Sequence, residues 1–390
     1  MKILLAEIFV SYTQKTIKDT LLKMGHEVEE RKYYTPEDNY GDERIAGMIE
    51  KDIKDVKAGC VFTVNIWPPV ARACHNTGVS YVAWSYDSPQ NLPTNDDLNY
   101  DTNYLYIFDR REVEIYRKQG INRIFHMPLA ADTGKWDKVP DNGKEYDISF
   151  LGSLYESTLP GLMKGMSEYS RGFTEGIVAA QQKIYGYFIV DDLLTEDFVR
   201  SVARDFKMMN ARQGKKVFSE EITIRQLAYS IASYVTYLDR LSLLRVLSSR
   251  ADMHLFSSVK DETQPLLKGI NIHGYAEYET QMPVVFKKSK INLNPSLRII
   301  RSGISLRCLD VMACGSFLLS SFQEELAESF EDGREIVLYT SLEDAVAKAE
   351  FYLRNDEIRE NIARAGYEKV KKEFTYESRL RKMLGGIGGK

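Results

Sequence analysis

The chain has 390 residues, 44% of them apolar and 28% charged, a balance that excludes disorder and suits two or three packed domains. A net charge of -4 gives no sign of a nucleic-acid or anionic-membrane partner. No apolar run approaches the roughly 20 residues needed to cross a bilayer. Glu7 ends the first apolar run, so the N-terminus reads as a strand and not as a signal peptide. Cys60, Cys74, Cys308 and Cys314 form no CxxC pair and have no His at zinc-finger spacing. Buried thiols in a reducing cytoplasm are the expectation, and a metal site is not.

Residues 2–6 read as a strand. Residues 15–24 read as a helix with Ile17, Leu21 and Leu22 on one face, stopped by Gly25, and Val28 begins a second strand. The apolar strand 60–64 leads to Trp67-Pro68-Pro69, whose prolines suit a first helical turn. Past Gly78 come strands at 80–84 and 104–108, a helix at 110–119 closed by Gly120, and a strand at 124–128. The polar stretch 132–144, with Pro140 and Asn142-Gly143, is the linker candidate. The pattern restarts at 147–153 with a strand running into a turn of small residues.

From 159 to 250 the signals are helical. Ile224, Leu227, Ile231, Tyr234, Leu238 and Leu241 recur at spacings of three and four. Two readings stand: a bundle that docks a partner or acceptor, with a homodimer among its uses, or an insert packed on its own domain. Strand signals resume at 253–256, 271–273, 291–293 and 317–319, and the last fifty residues are helical. Ser341, Asp356 and Thr375 are the expected caps there, and the Gly-rich tail 385–390 is expected to fray. The fold class is therefore α/β, with two Rossmann-like domains expected to face each other across a cleft. The first spans 1–140. The second spans 145–375 and carries the helical insert 159–250, and 376–390 forms a C-terminal helix and tail.

The segment 301–315 is the richest in chemistry. It reads as a small-residue loop, a short helix and a Gly315 stop. A helix start with Ser302 and Gly303 offers unpaired N–H groups to a diphosphate. Arg301 and Arg307 stand where a leaving diphosphate needs neutralising. Asp310 stands where a carboxylate can accept ribose hydroxyls. Against this, Arg307 and Asp310 also fit a plain i,i+3 surface pair.

From 272 to 321 the chain resembles the C-terminal domain of group 1 glycosyltransferases of the GT-B fold. Gly274 and Tyr275, after His273, resemble the family's loop beside the nucleotide base. Asn294-Pro295-Ser296 resembles the strand end beside the diphosphate. Leu309-Asp310-Val311-Met312-Ala313-Cys314-Gly315 resembles the family's LEAMACG segment, with Asp310 in place of the ribose-binding Glu. The family's second Glu, eight residues earlier, is Ser302 here, so the two-Glu motif is incomplete. Further segments resemble the narrower CgeB-like (spore maturation protein) branch. They are Trp84-Ser85-Tyr86-Asp87-Ser88-Pro89, the stretches 116–120 and 126–132, the strand 147–153 ending in Gly152-Ser153, and Ser302 to Arg307.

The resemblance implies a metal-independent transferase with a nucleotide-sugar donor, UDP type by default, and no other cofactor. The donor would be held by Gly152, Ser153, Gly274, Tyr275, Asn294, Ser296, Arg301, Ser302, Gly303, Arg307 and Asp310. The acceptor would be a hydroxyl of a glycan, protein or small molecule, and the setting cytoplasmic. Asp87, at a strand end of the first domain, is the candidate general base, beside the alternative of a turn-forming Asp before Ser-Pro. His126 lies at another strand end, where a packed or solvated side chain is the simpler reading. Asp96-Asp97 and Asp191-Asp192 are adjacent pairs, not the D-x-D of metal-dependent transferases. Two other readings are carried: a nucleotide-sugar epimerase on the same scaffold, and a non-catalytic scaffold protein acting through the insert.

Overall fold

The computed structural model describes residues 1–33, 43–90, 92, 94–212 and 222–387. In chain order the first elements are β1 (Lys2–Glu7), α1 (Gln14–Lys23), β2 (Glu27–Lys32), α2 (Glu43–Val56), β3 (Cys60–Val64) and α3 (Pro68–Thr77). They continue with β4 (Ser80–Ser85), β5 (Asn103–Ile107), α4 (Arg110–Lys118), β6 (Ile124–His126) and α5 (Thr133–Trp136). After β7 (Tyr146–Leu151) come five helices: α6 (Leu159–Met163), α7 (Glu168–Lys183), α8 (Val190–Leu193), α9 (Glu196–Arg212) and α10 (Ile224–Ser248). Then follow β8 (Met253–Phe256), β9 (Asn271–Ile272), α11 (Met282–Lys288), β10 (Ser289–Asn294), α12 (Leu306–Ala313) and β11 (Leu318–Ser321). The chain ends with α13 (Glu324–Ser329), β12 (Val337–Tyr339), α14 (Leu342–Arg354), α15 (Asp356–Glu373) and α16 (Tyr376–Gly385).

The chain divides into two compact units. One comprises Met1–Pro140, Ser302–Cys314 and Ala365–Lys390; the other comprises Asp141–Arg301 and Gly315–Arg364. The segment 302–314 thus clusters with the first unit, although the strands before and after it in the chain belong to the second sheet.

In the first unit six parallel strands run in the order β2-β1-β3-β4-β5-β6. Leu4, Val61, Tyr81, Ala83 and Leu105 from the strands meet Ile45, Ile49 and Ile53 of α2 and Val70 of α3 in one core. The four-residue spacing of those α2 isoleucines is a helical stripe that the strand signals of this half overshadow. Pro68 and Pro69 occupy the first turn of α3, where the missing N–H groups leave no bond unmade. Gly78, at φ 69°, closes that helix in the left-handed conformation. The linker expected from residue 132 begins instead with the single turn α5. Asp132 caps it by accepting the Lys135 N–H, and Trp136 is buried.

In the second unit six parallel strands run in the order β12-β11-β10-β7-β8-β9. Ile148, Phe150, Leu255, Ile291 and Leu319 pack against Leu244 and Leu247 of α10 and Ala345 and Ala349 of α14. The insert α6–α10 has a core of its own, where Leu227, Ile231 and Val235 of α10 meet Ile177, Val190, Val199 and Val202. The apolar stripe of α10 serves these two cores, as the plainer of the two sequence readings expects. Ser341 and Thr375 cap α14 and α16 by accepting the N–H of Asp344 and Ser378. Asp356 lies inside α15 and not at its cap. The strand β12, only three residues long, gives too short a pattern to read. Of the tail, 388–390 lie outside the described residues.

Candidate functional site

In each sheet the chain order reverses direction at one point, and ligands of open α/β sheets bind beyond the carboxyl ends of the strands there. In the second unit that point lies between β7 and β10, since β8 and β9 continue one way and β11 and β12 the other. Gly152 follows β7 at φ 144° and its N–H bonds the Phe256 carbonyl at 3.0 Å. Ser153 beside it is exposed. At the end of β10, Asn294 is fully buried and donates to the Ser296 and Ser320 hydroxyls, each at 3.0 Å. Asn294 therefore fixes the strand end, while Ser296, 9% exposed, lies nearer the surface.

Arg240 of α10 clamps these two strand ends together. It is 1% exposed, donates from Nε and Nη2 to the Pro295 carbonyl at 3.1 and 2.6 Å, and donates from Nη1 to the Ser153 carbonyl. Its guanidinium also lies 5.1 Å from the Phe150 ring centroid and 4.9 Å from that of Tyr155.

The loop after β10 is held by the insert. Arg298 donates to Asp239 at 2.6 Å and to the Ile184 carbonyl at 2.9 Å, and its guanidinium sits 3.9 Å from the Tyr185 ring centroid. Burial raises the Asp239 carboxyl, and the adjacent Arg298 charge opposes that shift. Arg301 makes a two-point bond to Asp191, at 2.6 and 2.9 Å, so its charge already faces a carboxylate. Asp192 accepts from the Tyr187 hydroxyl, and Asp97 pairs with Arg72.

At the ends of β8 and β9 lies an aromatic column. His273 stacks on Phe256 with centroids 4.4 Å apart and on His254 at 5.0 Å, each within 10° of parallel. His254 bonds His273 at 2.8 Å and Asp252 at 2.7 Å. Burial and then the neighbouring His254 lower the His273 pKa, with Asp252 opposing. Gly274, at φ 75°, turns the chain next to it, and Tyr275 is 73% exposed. Asp252 and His254 escaped the sequence reading because nothing in their spacing announces a relay to residue 273.

In the first unit the reversal lies between β1 and β3. Asn65 follows β3 in the left-handed conformation, φ 62°, which Asn tolerates better than most residues. Its Nδ2 donates to Asp87 Oδ2 at 2.7 Å, and its Oδ1 accepts the Tyr86 N–H at 2.8 Å. Asp87 keeps solvent contact. Desolvation by the surrounding protein is nevertheless the larger influence and raises its carboxyl above the usual carboxylate range, while the Asn65 amide lowers it. The next residue is pinned from α4: Ser88 donates to Asp109 at 3.1 Å and to Glu112 at 2.5 Å, and both acids are buried. His126, half-buried, bonds the Phe108 carbonyl at 3.3 Å.

Asp109 also receives the Ser302 hydroxyl at 2.9 Å and N–H at 3.3 Å, and the Arg111 N–H reaches the Ser302 hydroxyl at 3.2 Å. Gly303 packs so closely that a Cβ there would stand 2.7 Å from the Phe108 ring and 2.9 Å from Asp109 Cα. The small residues at 302 and 303 thus have a packing cause, whatever else they do. Arg307, in the first turn of α12, is partly buried. Asp310 is 2% exposed. It stands beside Tyr86, whose phenol is pushed far up by burial, with the Asp310 charge adding to the effect. The four cysteines are buried thiols, and burial pushes the Cys60 thiol up to about 12.

Residues 240–385 match the family model described as glycosyl transferase-like. No curated protein sequence matches the chain. Among solved structures, a glycosyltransferase from Rickettsia africae ESF-5 is similar at TM-score 0.58 and 11% identity, covering 98% of this chain and 97% of its own. A sucrose-phosphate synthase from Thermosynechococcus elongatus follows at TM-score 0.55 and 10% identity, covering 99% and 98%. The Anabaena protein Alr3699/HepE, solved with UDP and glucose, gives TM-score 0.55 and 9% identity, covering 99% and 100%. Two parallel six-stranded sheets, similar to these structures over nearly the whole chain, make the fold α/β of the GT-B type.

Proposed function

We propose that the protein is a glycosyltransferase that moves a sugar from a nucleoside-diphosphate donor to an acceptor hydroxyl without a metal ion. One observation carries the reading. The chain reversal between β7 and β10 is locked by Arg240 into a fixed pair of strand ends, and Arg240 and β10 lie in the segment, 240–385, that matches the glycosyl transferase-like model. In this reading Tyr275, exposed beside the His273–Phe256 stack, offers a platform for the base. Ser153 and Ser296 are the exposed and near-surface groups at the two strand ends. By the resemblance alone, Arg307 and the first N–H groups of α12 are the groups that suit a diphosphate, and Asp310 the one that suits ribose hydroxyls. We place the chain in the CgeB-like branch on its Trp84-to-Pro89 segment and those matching it, with UDP as the default donor nucleotide and the cytoplasm as the setting.

Asp87 takes the proton of the acceptor hydroxyl as that oxygen bonds the sugar's anomeric carbon. The bond from the same carbon to the diphosphate breaks, and the nucleoside diphosphate leaves with the electron pair. A carboxyl raised above the usual range is a better proton acceptor than an ordinary Asp, which suits a general base.

A thermal-shift screen against UDP, GDP, TDP, ADP and CMP tests the donor site. One nucleoside diphosphate should stabilise the wild type, by about 2.7 kcal/mol at a concentration 100 times its Kd. The Asp310→Asn variant, close in size, should lose most of that gain. No stabilisation by any nucleotide at millimolar concentration would overturn the reading.

A further inference from the structure

At the edge of the second sheet three side chains form a hydrogen-bonded row whose direction can be worked out. Asp252 precedes β8, His254 lies in it and His273 follows β9. His254 Nε2 stands 2.7 Å from Asp252 Oδ2, and His254 Nδ1 stands 2.8 Å from His273 Nε2. An ionised carboxylate only accepts, so His254 Nε2 carries a hydrogen. A neutral imidazole has one such hydrogen, so His254 Nδ1 is a bare acceptor. The hydrogen between the rings therefore belongs to His273 Nε2, and His273 Nδ1 is left with a lone pair. His273 is exposed, and no described residue bonds that atom.

The row is fixed from its far end. Asn271 Nδ2 donates to Asp252 Oδ1 at 2.8 Å, which leaves Oδ2 for His254. Packing holds the rings: Tyr146 lies 4.1 Å from His254 and Phe256 lies 4.4 Å from His273, centroid to centroid. Burial and then His254 hold the His273 pKa below its ordinary value, so its ring is neutral at pH 8. Gly274 turns the chain beside it, and Tyr275 stands 73% exposed.

We infer that Asp252 and His254 are positioning residues that fix His273 as a hydrogen-bond acceptor, and that this acceptor selects a nucleobase carrying a ring N–H. Uracil, thymine and guanine present such an N–H on their pairing edge, where cytosine and adenine present a bare ring nitrogen. A lone pair on His273 Nδ1 attracts the first kind and repels the second. The presence of a nucleotide rests on the donor reading above, while the direction of the row rests on the hydrogen bonds alone.

Asp252→Asn tests the inference, because it reverses the row without changing its size. Asn271 still donates to the Oδ1 position, so the new amide oxygen belongs there and its NH2 faces His254 Nε2. His254 then accepts at Nε2 and donates from Nδ1 to His273 Nε2, which turns His273 Nδ1 into a donor. Asp252 has a 48% exposed side chain, and the far-UV spectrum of the variant should match the wild type. Nitrogen-15 NMR of the imidazoles at pH 8, with the His273 signal identified by its loss in His273→Gln, reads the hydrogen directly. It should sit on Nε2 in the wild type and on Nδ1 in Asp252→Asn. By titration calorimetry the wild type should bind UDP about tenfold tighter than CDP, or GDP than ADP if the site takes a purine, the worth of about one hydrogen bond. Asp252→Asn should lose or invert that preference. Hydrogen on His273 Nδ1 in the wild type, equal binding of the paired nucleotides, or a preference that survives Asp252→Asn would each overturn the inference and leave the donor reading standing. Binding of no nucleotide at millimolar concentration would overturn the donor reading and the base selection together, and the NMR alone would then decide the direction of the row.

Discussion

At the scale of single residues, the balance of Asp87 rests on Asn65. The Asn65 amide lowers the Asp87 carboxyl while desolvation raises it. Replacing that donor by a carboxylate in Asn65→Asp keeps the Oδ1 acceptor and the tolerance of a positive φ, but sets a like charge against Asp87. Two carboxylates sharing a site drive one of them upward by about one unit or more. A base must be deprotonated to act, so the acid limb of the pH–rate profile should move to higher pH by that amount. Asp87→Asn should lower kcat by about 100- to 10,000-fold. An acid limb that stays in place in Asn65→Asp would remove Asp87 from the mechanism. Asp87 was legible in the sequence as an acid after an apolar strand. Asn65 was not, because its meaning comes from a contact 22 positions away. Gly303 was legible as a glycine in a turn, but its cause is spatial: a Cβ would stand 2.9 Å from the backbone of Asp109, which cannot swing aside. Gly303→Ala should therefore destabilise the fold by about 1–3 kcal/mol, read from the denaturation midpoint. An unchanged midpoint would mean that the loop has room.

At the scale of elements, α10 is the member whose work exceeds what its pattern announces. Its stripe of apolar residues predicts a buried helix, and the helix is buried. The same pattern makes Asp239 and Arg240 look like ordinary solvated charges, since helix periodicity reports which face is apolar and not which charged side chain finds carbonyls beneath it. Arg240 of α10 reaches Pro295 across 55 residues of chain, and Arg298 of the loop after β10 reaches Asp239 of α10 across 59, separations invisible to any local motif. Long, regular elements were readable for the opposite reason, because strands such as β3 and β4 repeat their apolar signal over several residues. Arg240→Met retains the length of the side chain and removes every donor. The Ser153 and Pro295 carbonyls would lose charge-assisted bonds worth about 1.5–3 kcal/mol each in context. Urea titration should show a loss of about 2–4 kcal/mol, below the sum because Met recovers packing. Nucleotide affinity should fall with it, because both strand ends lose their common anchor. A variant as stable as the wild type would show that the clamp is an accessory to the sheet and not a fastening of it.

At the scale of the whole molecule, the alternation of strand and helix was enough to predict two α/β halves, because parallel strands need crossover helices and each half repeats the cycle. The assignment of 302–314 to the first compact unit was beyond it, since chain order places those residues within the second half of the alternation. Each unit has a six-stranded sheet and an apolar core of its own. Chains built this way depart from a single two-state transition more often than single domains do. Scanning calorimetry should therefore give a calorimetric enthalpy larger than the van't Hoff enthalpy of the main transition. Adding the nucleoside diphosphate at 100 times its Kd contributes about 2.7 kcal/mol to the folded state. A shift confined to one component assigns the nucleotide to that unit's residues alone. If the two enthalpies agree and every ligand shifts one undivided peak, the units unfold together and their separate cores do not act as separate cooperative bodies.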